Sequence, residues 1–333
     1  MKVLLHQPQA IHELGSRKNQ EDSIYPNMGE ATADQHLFLV CDGMGGHDKG
    51  EVASAAVCQG MSQAMEAFAS GNELLTDGQF NLALQKTFET LNAADVDKEG
   101  TMGTTLTFLC MHKGGCLAAH IGDSRIYHLR PQTGEVLYRS RDHSLVQQLY
   151  ELGEISYNDM VTSPRKNIIL KAMQPYQDEE VEATLVHITD IRKGDYFYMC
   201  SDGMLEDMED DELLSILQAR TSDEEKAREL VRRTAGNADN HSAYLLQVSQ
   251  VKHEEGDQQY LNDEAEARRL NKALNDPCKD QVWHYDPDAE PVTLANAKAR
   301  KKGLPAKGWL LIALLAIVLL AGALLLIRFL ALS

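Results

Sequence analysis

The chain has 333 residues, 43% of them hydrophobic and 25% charged, the balance of a folded protein with a sizeable core. Its formal net charge of −18 excludes a sequence-independent hold on DNA or RNA, which needs a basic surface to neutralise phosphates. The six cysteines form neither a CxxC pair nor a zinc spacing, so they read as buried free thiols in a reducing compartment.

The N-terminus, MKVLLHQPQA, has too short an apolar run for a secretory signal, which predicts a chain that starts in the cytoplasm. Through residues 1–250, short apolar runs alternate with longer amphipathic stretches. Strands are predicted at residues 36–41, 104–111, 116–121, 125–129, 135–138, 195–200 and 243–248. Several are separated only by turn residues (HKGG, GDS, PQTGE), the spacing of antiparallel hairpins rather than parallel crossovers. Helices are predicted at 50–70, within 72–95, and at 145–152, 211–218 and 223–235. The last opens with Ser222 and Glu225 at capping-box spacing and stops at Gly236. Hairpin strands with helices set apart predict an α+β sandwich of sheets with helices outside.

Residues 251–308 change character. Charge is dense, apolar runs disappear, and Pro287 and Pro291 interrupt the local periodicity, as in a hydrated linker with one helix around 264–273. The segment Trp309 to Ile327 (WLLIALLAIVLLAGALLLI) then carries no charge. At ~1.5 Å rise per residue it is about 28 Å long, close to the hydrocarbon thickness of a bilayer. Lys298, Arg300, Lys301, Lys302 and Lys307 precede it and Arg328 follows it, which predicts a cytoplasmic N-terminal part. The expectation is a transmembrane helix at 309–327, serving as a single-pass tail anchor.

The chemistry is concentrated where apolar strands end in carboxylates. In LFLVCDGMGGHDKG the strand stops at Asp42 and a glycine-rich turn follows. A P-loop would need Ser or Thr after Lys49, where Gly50 stands, and a dinucleotide fingerprint would need a third glycine where Asp48 stands. Both nucleotide readings fail. An Asp-Gly pair also opens an ordinary tight turn, and one occurrence would not decide between turn and site. The device recurs, however: YFYMCSDGM ends in Asp202, AAHIGDSR carries Asp123, Asp239 precedes a strand in NADNHSAYLLQV, and Glu21-Asp22 lie in SRKNQEDS. Carboxylates gathered at one sheet edge repel one another and call for a cation. Oxygen-only ligands select Mg²⁺ or Mn²⁺ over zinc. The twelve histidines are scattered; His47, beside the first turn, reads as a cap at least as well as a ligand. Glu206, Asp207, Glu209, Asp210 and Asp211 are better explained as a charged helix N-terminus than as further ligands.

The motifs SRKNQEDS, VCDGMGGHDKGE, MGTTLTF, IGDSRIY, RDHSLVQQLYELGEIS, SPRKNIILKAM, MCSDGMLEDMEDDEL and ADNHS stand in a familiar order. With them the chain resembles, from about residue 10 to 250, the bacterial metal-dependent protein Ser/Thr phosphatases of the protein phosphatase 2C-like (PPM) family. The resemblance implies an αββα sandwich of two mainly antiparallel sheets flanked by helices, within a catalytic domain at 1–250. It implies two Mn²⁺ or Mg²⁺ ions: Asp42 bridging them, the Gly43 carbonyl on one, Asp202 and Asp239 completing the other. Glu21 and Asp22 would act through metal-bound waters, and Asp123 would help hold a third, weaker ion. Arg17, five positions before Asp22, matches the phosphate-binding arginine, and a water shared by the metals would attack phosphorus directly. Met44 stands where eukaryotic members carry a histidine, so the leaving-group proton must come from elsewhere. Residues 145–173 would form a flap beside the site, with Arg165 and Lys166 exposed on it, and MGTT would serve structure rather than catalysis.

The expected protein is therefore a phosphoserine/phosphothreonine phosphatase at the inner or plasma membrane of a bacterium, its catalytic domain cytoplasmic. Its expected partners are phosphorylated proteins, among them a membrane-associated Ser/Thr kinase or that kinase's targets. Two other readings share the motifs: a pseudophosphatase that binds phosphoproteins at the membrane, and an enzyme for small phosphorylated molecules.

Overall fold

The computed structural model describes residues 1–253 apart from 46–48, 67, 69–70, 98–100 and 178–180. In chain order the elements are β1 (Lys2–Leu5), β2 (Gln9–Glu13), β3 (Ser23–Tyr25), β4 (Leu37–Cys41), β5 (Gly43–Met44), α1 (Lys49–Met65) and α2 (Asp77–Ala94). There follow β6 (Gly103–Thr104), β7 (Leu106–His112), β8 (Gly115–Ile121), β9 (Arg125–Arg130), β10 (Glu135–Arg139), α3 (Leu145–Glu151) and α4 (Tyr157–Thr162). The rest are β11 (Thr184–Ile188), β12 (Tyr196–Cys200), a 3₁₀ turn (Asp202–Leu205), α5 (Asp210–Gln218), α6 (Asp223–Thr234) and β13 (His241–Lys252).

One sheet has the order β11-β8-β7-β4-β3; the other runs β1-β13-β12-β9-β10, with β2 also paired to β13. The pairings within both are antiparallel. The sheets lie face to face, which explains why β4, LFLVC, is buried at every position rather than at alternate ones. Its Phe38 and Val40 join Leu109, Ile126, Phe197, Met199, Tyr244 and Leu246 between the sheets. Leu37, Leu39 and Cys41 point the other way, into a layer with Ala53, Val57, Met61 and Met65 of α1 and Phe80 and Leu84 of α2. On the far side of the second sheet, Tyr196, Tyr198 and Cys200 pack with Leu213 and Leu217 of α5 and Leu230 of α6. The layers are helix, sheet, sheet, helix. Helix starts follow local chemistry, with complete capping boxes at Thr76–Gln79 and Ser222–Glu225.

Residues 148–164 belong to a second compact unit. Within it, α4 is opened by a capping box between Ser156 and Asp159, and the Tyr150 and Tyr157 rings meet edge-on at 5.9 Å.

The sandwich agrees with the expected fold class; the transmembrane helix included in that class is corrected. No helix among the described residues is long and apolar enough to cross a membrane. The longest, α1 and α2, each lay one side on a sheet and keep glutamine, glutamate and lysine on the other. The segment 309–327, the linker 254–308 with its expected helix, and His47 lie outside the described residues.

Candidate metal centre

Strand ends from both sheets deliver the acidic residues to one place. Asp42 follows β4 in one sheet; Asp202 follows β12 and Asp239 precedes β13 in the other. The Asp42 and Asp202 carboxyl groups meet across the two sheets, close enough to perturb each other's ionisation. Asp22 lies beneath them, 4% exposed, its Oδ2 accepting from Ser201 Oγ at 2.8 Å. Asp123, 5% exposed, ends the turn after β8. Arg17 reaches in from the exposed loop before β3, its Nη2 2.6 Å from Asp239 Oδ2.

Thr104 and Thr105 fix the backbone that carries Asp42. The Asp42 N–H donates to Thr105 Oγ1 at 2.9 Å. Its carbonyl accepts from the Thr105 N–H at 2.8 Å and from Thr104 Oγ1 at 2.9 Å. Thr105 Oγ1 also meets Ser124 Oγ at 2.7 Å, which links the Asp42 loop to the Asp123 loop through two hydroxyls. Gly43 is required by close approach rather than by an unusual φ. A Cβ there would lie 2.2 Å from the Gly50 carbonyl oxygen and 2.4 Å from that of Glu21. The Gly43 N–H donates to the same Glu21 carbonyl at 3.1 Å.

Asn240 organises the other side. Its Oδ1 accepts the Glu21 N–H at 2.8 Å, while its Nδ2 donates to the Leu14 and Asn19 carbonyls. One side chain thus ties the loop bearing Arg17 and Glu21 to the start of β13. Glu206, expected to be part of a charged helix N-terminus, instead accepts the Ala238 N–H at 2.8 Å and steadies the loop before Asp239. Asp210 and Asp211 do fall in the first turn of α5, and Asp210 also takes Tyr127 Oη and Arg139 Nη1.

The electrostatics follow from this crowding. Burial, then repulsion from Asp22, Asp202 and Asp123, pushes the Asp42 carboxyl well above the usual carboxylate range. Burial raises Asp123 to about 8, with Asp202 and Asp142 adding to the effect. Asp22 rises to about 7 through burial, against the hydrogen bonds from Ser242 and Ser201. Asp202 is raised by burial and by Asp239. Four neighbouring carboxyls that each resist ionisation describe a site short of positive charge.

Among the described residues, no group of three or more acidic, histidine or cysteine side chains is drawn close enough around one point to hold an ion. The donor set nonetheless fits a hard divalent cation. It is all oxygen, and Asp123 Oδ1 and Asp202 Oδ1 are buried with no hydrogen-bond partner among the described residues. The nearest thiols are not ligands: Cys41 and Cys58 are buried and face each other with Sγ atoms 3.5 Å apart.

Comparison with known proteins agrees with this architecture. The family model for Protein phosphatase 2C matches residues 14–242. Over 222 residues the chain is 34% identical to serine/threonine phosphatase stp of Listeria welshimeri, covering 64% of this chain and 84% of that protein. It is 29% identical to protein phosphatase PhpP of Streptococcus pneumoniae, covering 70% and 94%. The crystal structure of the Mycobacterium tuberculosis serine/threonine phosphatase PstP/Ppp superposes with a TM-score of 0.62 at 31% identity, covering 74% of this chain and 100% of that one. The chain belongs to the protein phosphatase 2C family of metal-dependent phosphatases. It is a protein serine/threonine phosphatase.

Proposed function

We propose that the chain hydrolyses phosphoserine and phosphothreonine in proteins by direct transfer of the phosphoryl group to water, with two Mn²⁺ or Mg²⁺ ions at the carboxylate cluster. The observation that carries this is the crowding of the buried Asp42, Asp202, Asp22 and Asp123 carboxyls from both sheets, with Asp123 Oδ1 and Asp202 Oδ1 buried and without a hydrogen-bond partner among the described residues. A 31% identical relative, the catalytic domain of PstP, has been solved in complex with two manganese ions at a TM-score of 0.60.

Asp42, the Gly43 carbonyl, Asp202 and Asp239 would hold the two ions, Glu21 and Asp22 would act through water, and Asp123 would contribute to a third, weaker ion. When bound, such ions polarise the phosphoryl oxygens and make water acidic enough to attack at neutral pH. Arg17 binds phosphate: it is 55% exposed at its side chain, and its planar fork matches two phosphoryl oxygens. Its present partner, Asp239, is one of the carboxylates assigned to an ion, so cation binding and phosphate binding draw on the same pair. Ser201 holds Asp22, and Thr105 holds the backbone of Asp42, so the carboxylates keep their places while the phosphoryl group moves.

The test is phosphate release from a phosphothreonine peptide with and without Mn²⁺, using wild type, Asp42→Ala and Asp202→Ala. Both variants are expected to lose at least about 10²-fold in kcat, on the scale of a lost electrostatic stabiliser. Undiminished turnover in both would sink the two-ion assignment. Binding of the phosphopeptide without turnover at saturating Mn²⁺ would mark a binding module instead.

For its setting we propose the cytoplasmic face of a bacterial membrane, with a membrane-associated Ser/Thr kinase or its targets as substrate. The support is the sequence of residues 309–327 and the basic residues before it. Full-length chain is expected in the membrane pellet and a 1–308 chain in the soluble fraction; a soluble full-length chain would overturn the setting without touching the chemistry.

A further inference from the structure

The turn at residues 122–124 is gripped by two consecutive residues from the far end of the next hairpin. Asp142 takes Arg125 with both carboxylate oxygens, Nε and Nη2 each at 2.7 Å. His143 takes Gly122. Its backbone N–H donates to the Gly122 carbonyl at 2.9 Å, and its Nδ1 accepts the Gly122 N–H at 3.2 Å. One residue thus engages both backbone polar groups of the residue before Asp123.

The ring is held for that role. Because Nδ1 accepts, the proton sits on Nε2, which donates to Thr184 Oγ1 at 3.0 Å. His120 stacks on the His143 ring at 4.5 Å and 15°, and is itself tethered through Nε2 to the Arg141 carbonyl at 2.7 Å. Gly122 sits at φ +104, and a Cβ on it would lie 2.6 Å from Thr105 Cγ2. The turn is therefore pinned between Thr105 on one side and His143 on the other. The Asp123 carboxylate, with its buried Oδ1, is the part left to a ligand.

We propose that His143 is a positioning residue for the cation held at Asp123: by closing both hydrogen bonds on Gly122 it aims the Asp123 carboxylate into the cluster. The inference rests on the reading of Asp123 as a cation ligand. It predicts a requirement for an acceptor at the Nδ1 position in particular. Asparagine can place its Oδ1 there; glutamine places its carbonyl where Nε2 lies; alanine has no acceptor.

The experiment is a Mn²⁺ titration of the metal-free full chain, followed by the electron paramagnetic resonance signal of free Mn²⁺. Wild type is compared with Asp123→Asn, His143→Ala, His143→Asn, His143→Gln and the Asp123→Asn/His143→Ala double variant. Asp123→Asn is expected to remove the weakest binding step. His143→Ala and His143→Gln should weaken that step at least fivefold and leave the tighter steps within twofold. His143→Asn should restore it to within twofold of wild type, and the double variant should match Asp123→Asn. If His143→Ala does not fold, the contrast between asparagine and glutamine decides. An isotherm for His143→Gln that equals that of His143→Asn, a loss spread equally over all steps, or a further loss in the double variant overturns the proposal. An unchanged isotherm for Asp123→Asn overturns the ligand reading itself and the proposal with it, an outcome recognisably different from the others.

Discussion

Thr105 shows how much of the site is held by residues that never touch substrate. Its hydroxyl takes the Asp42 N–H and meets Ser124, so Thr105→Val keeps the shape but leaves two buried polar groups without a partner. The expected cost is about 1–3 kcal/mol in denaturant unfolding, with a weaker Mn²⁺ response in phosphate release, and Thr105→Ser should retain most of both. Asp123 supplies a second test. Its folded carboxyl keeps a proton up to about pH 8, while an unfolded aspartate releases it near ~3.9, so the folded state binds more protons across that window. Stability of the metal-free protein therefore falls as pH rises through it. Asp123→Asn should raise the melting temperature of metal-free protein at pH 8, and the gain should shrink toward pH 5, where wild type carries its own proton. A gain independent of pH would place the effect elsewhere. Asp42, Asp123, Asp202 and Asp239 were legible in the sequence because each ends or precedes an apolar strand, and Glu21 and Asp22 through the motif SRKNQEDS. The hydroxyls and amides that orient them were not. Thr105 and Asn240 act through backbone groups, Ser124 through a hydroxyl and Ser201 through a carboxylate, each on a loop distant in sequence, and short polar residues beside glycines look alike whether they cap a turn or hold a ligand. The one signal was position: Thr104 and Thr105 follow Met102-Gly103, and Asn240 follows Asp239, inside motifs already singled out.

Among elements, the junction between β4 and α1 is the tightest constraint. β5 runs close enough to the start of α1 that Gly43 and Gly50 face each other backbone to backbone. Gly43→Ala has no room to relax, since the atoms it would meet are carbonyl oxygens of Gly50 and Glu21. Loss of at least about 2 kcal/mol is expected by denaturant unfolding, together with lost Mn²⁺ dependence. The pairing of β9 with β12 carries a different device. Asp195, fully buried, is hydrogen-bonded by Arg130 Nε at 2.8 Å and His128 Nε2 at 2.9 Å. Burial alone would raise its carboxyl, but Arg130, His128 and the Arg192 N–H outweigh it and bring it down to about 2. A lowered carboxyl contributes stability above its unfolded value near ~3.9 and loses it as pH falls through about 2. Asp195→Asn, which removes the buried carboxylate that Arg130 and His128 share and leaves Arg130 only its bonds to Asp190, should cost about 1–3 kcal/mol in unfolding experiments while leaving turnover per folded molecule unchanged. Most of the strands read from sequence, such as 36–41 and 195–200, were fully buried with continuous apolar runs; the half-buried β10 was read from the turn residues that set it off as a hairpin. β2, β3 and β11 were missed because QAIHE, SIY and TLVHI are short, part-exposed and mixed in polarity. They earn their conformation from a partner strand rather than from local pattern.

At the scale of the molecule, the two-sheet sandwich could be anticipated because hairpin spacing is local, whereas the pairing that joins the chain's first strands to its last described one could not. Lys2 pairs with Lys252 and Glu13 with His241, so β13 is the partner of β1, β2 and β12 together. No periodicity within either segment announces a partner more than two hundred residues away. That arrangement has a consequence during synthesis. At roughly 5–20 residues per second, β13 leaves the ribosome on the order of 10–50 s after β1. Until it does, the second sheet lacks the strand that joins β1 and β2 to β12, Asn240 has not arrived to tie down the loop carrying Arg17, and Asp239 is missing. A nascent chain therefore has no complete phosphate-binding centre to act on its neighbours until its last described strand closes the sheet.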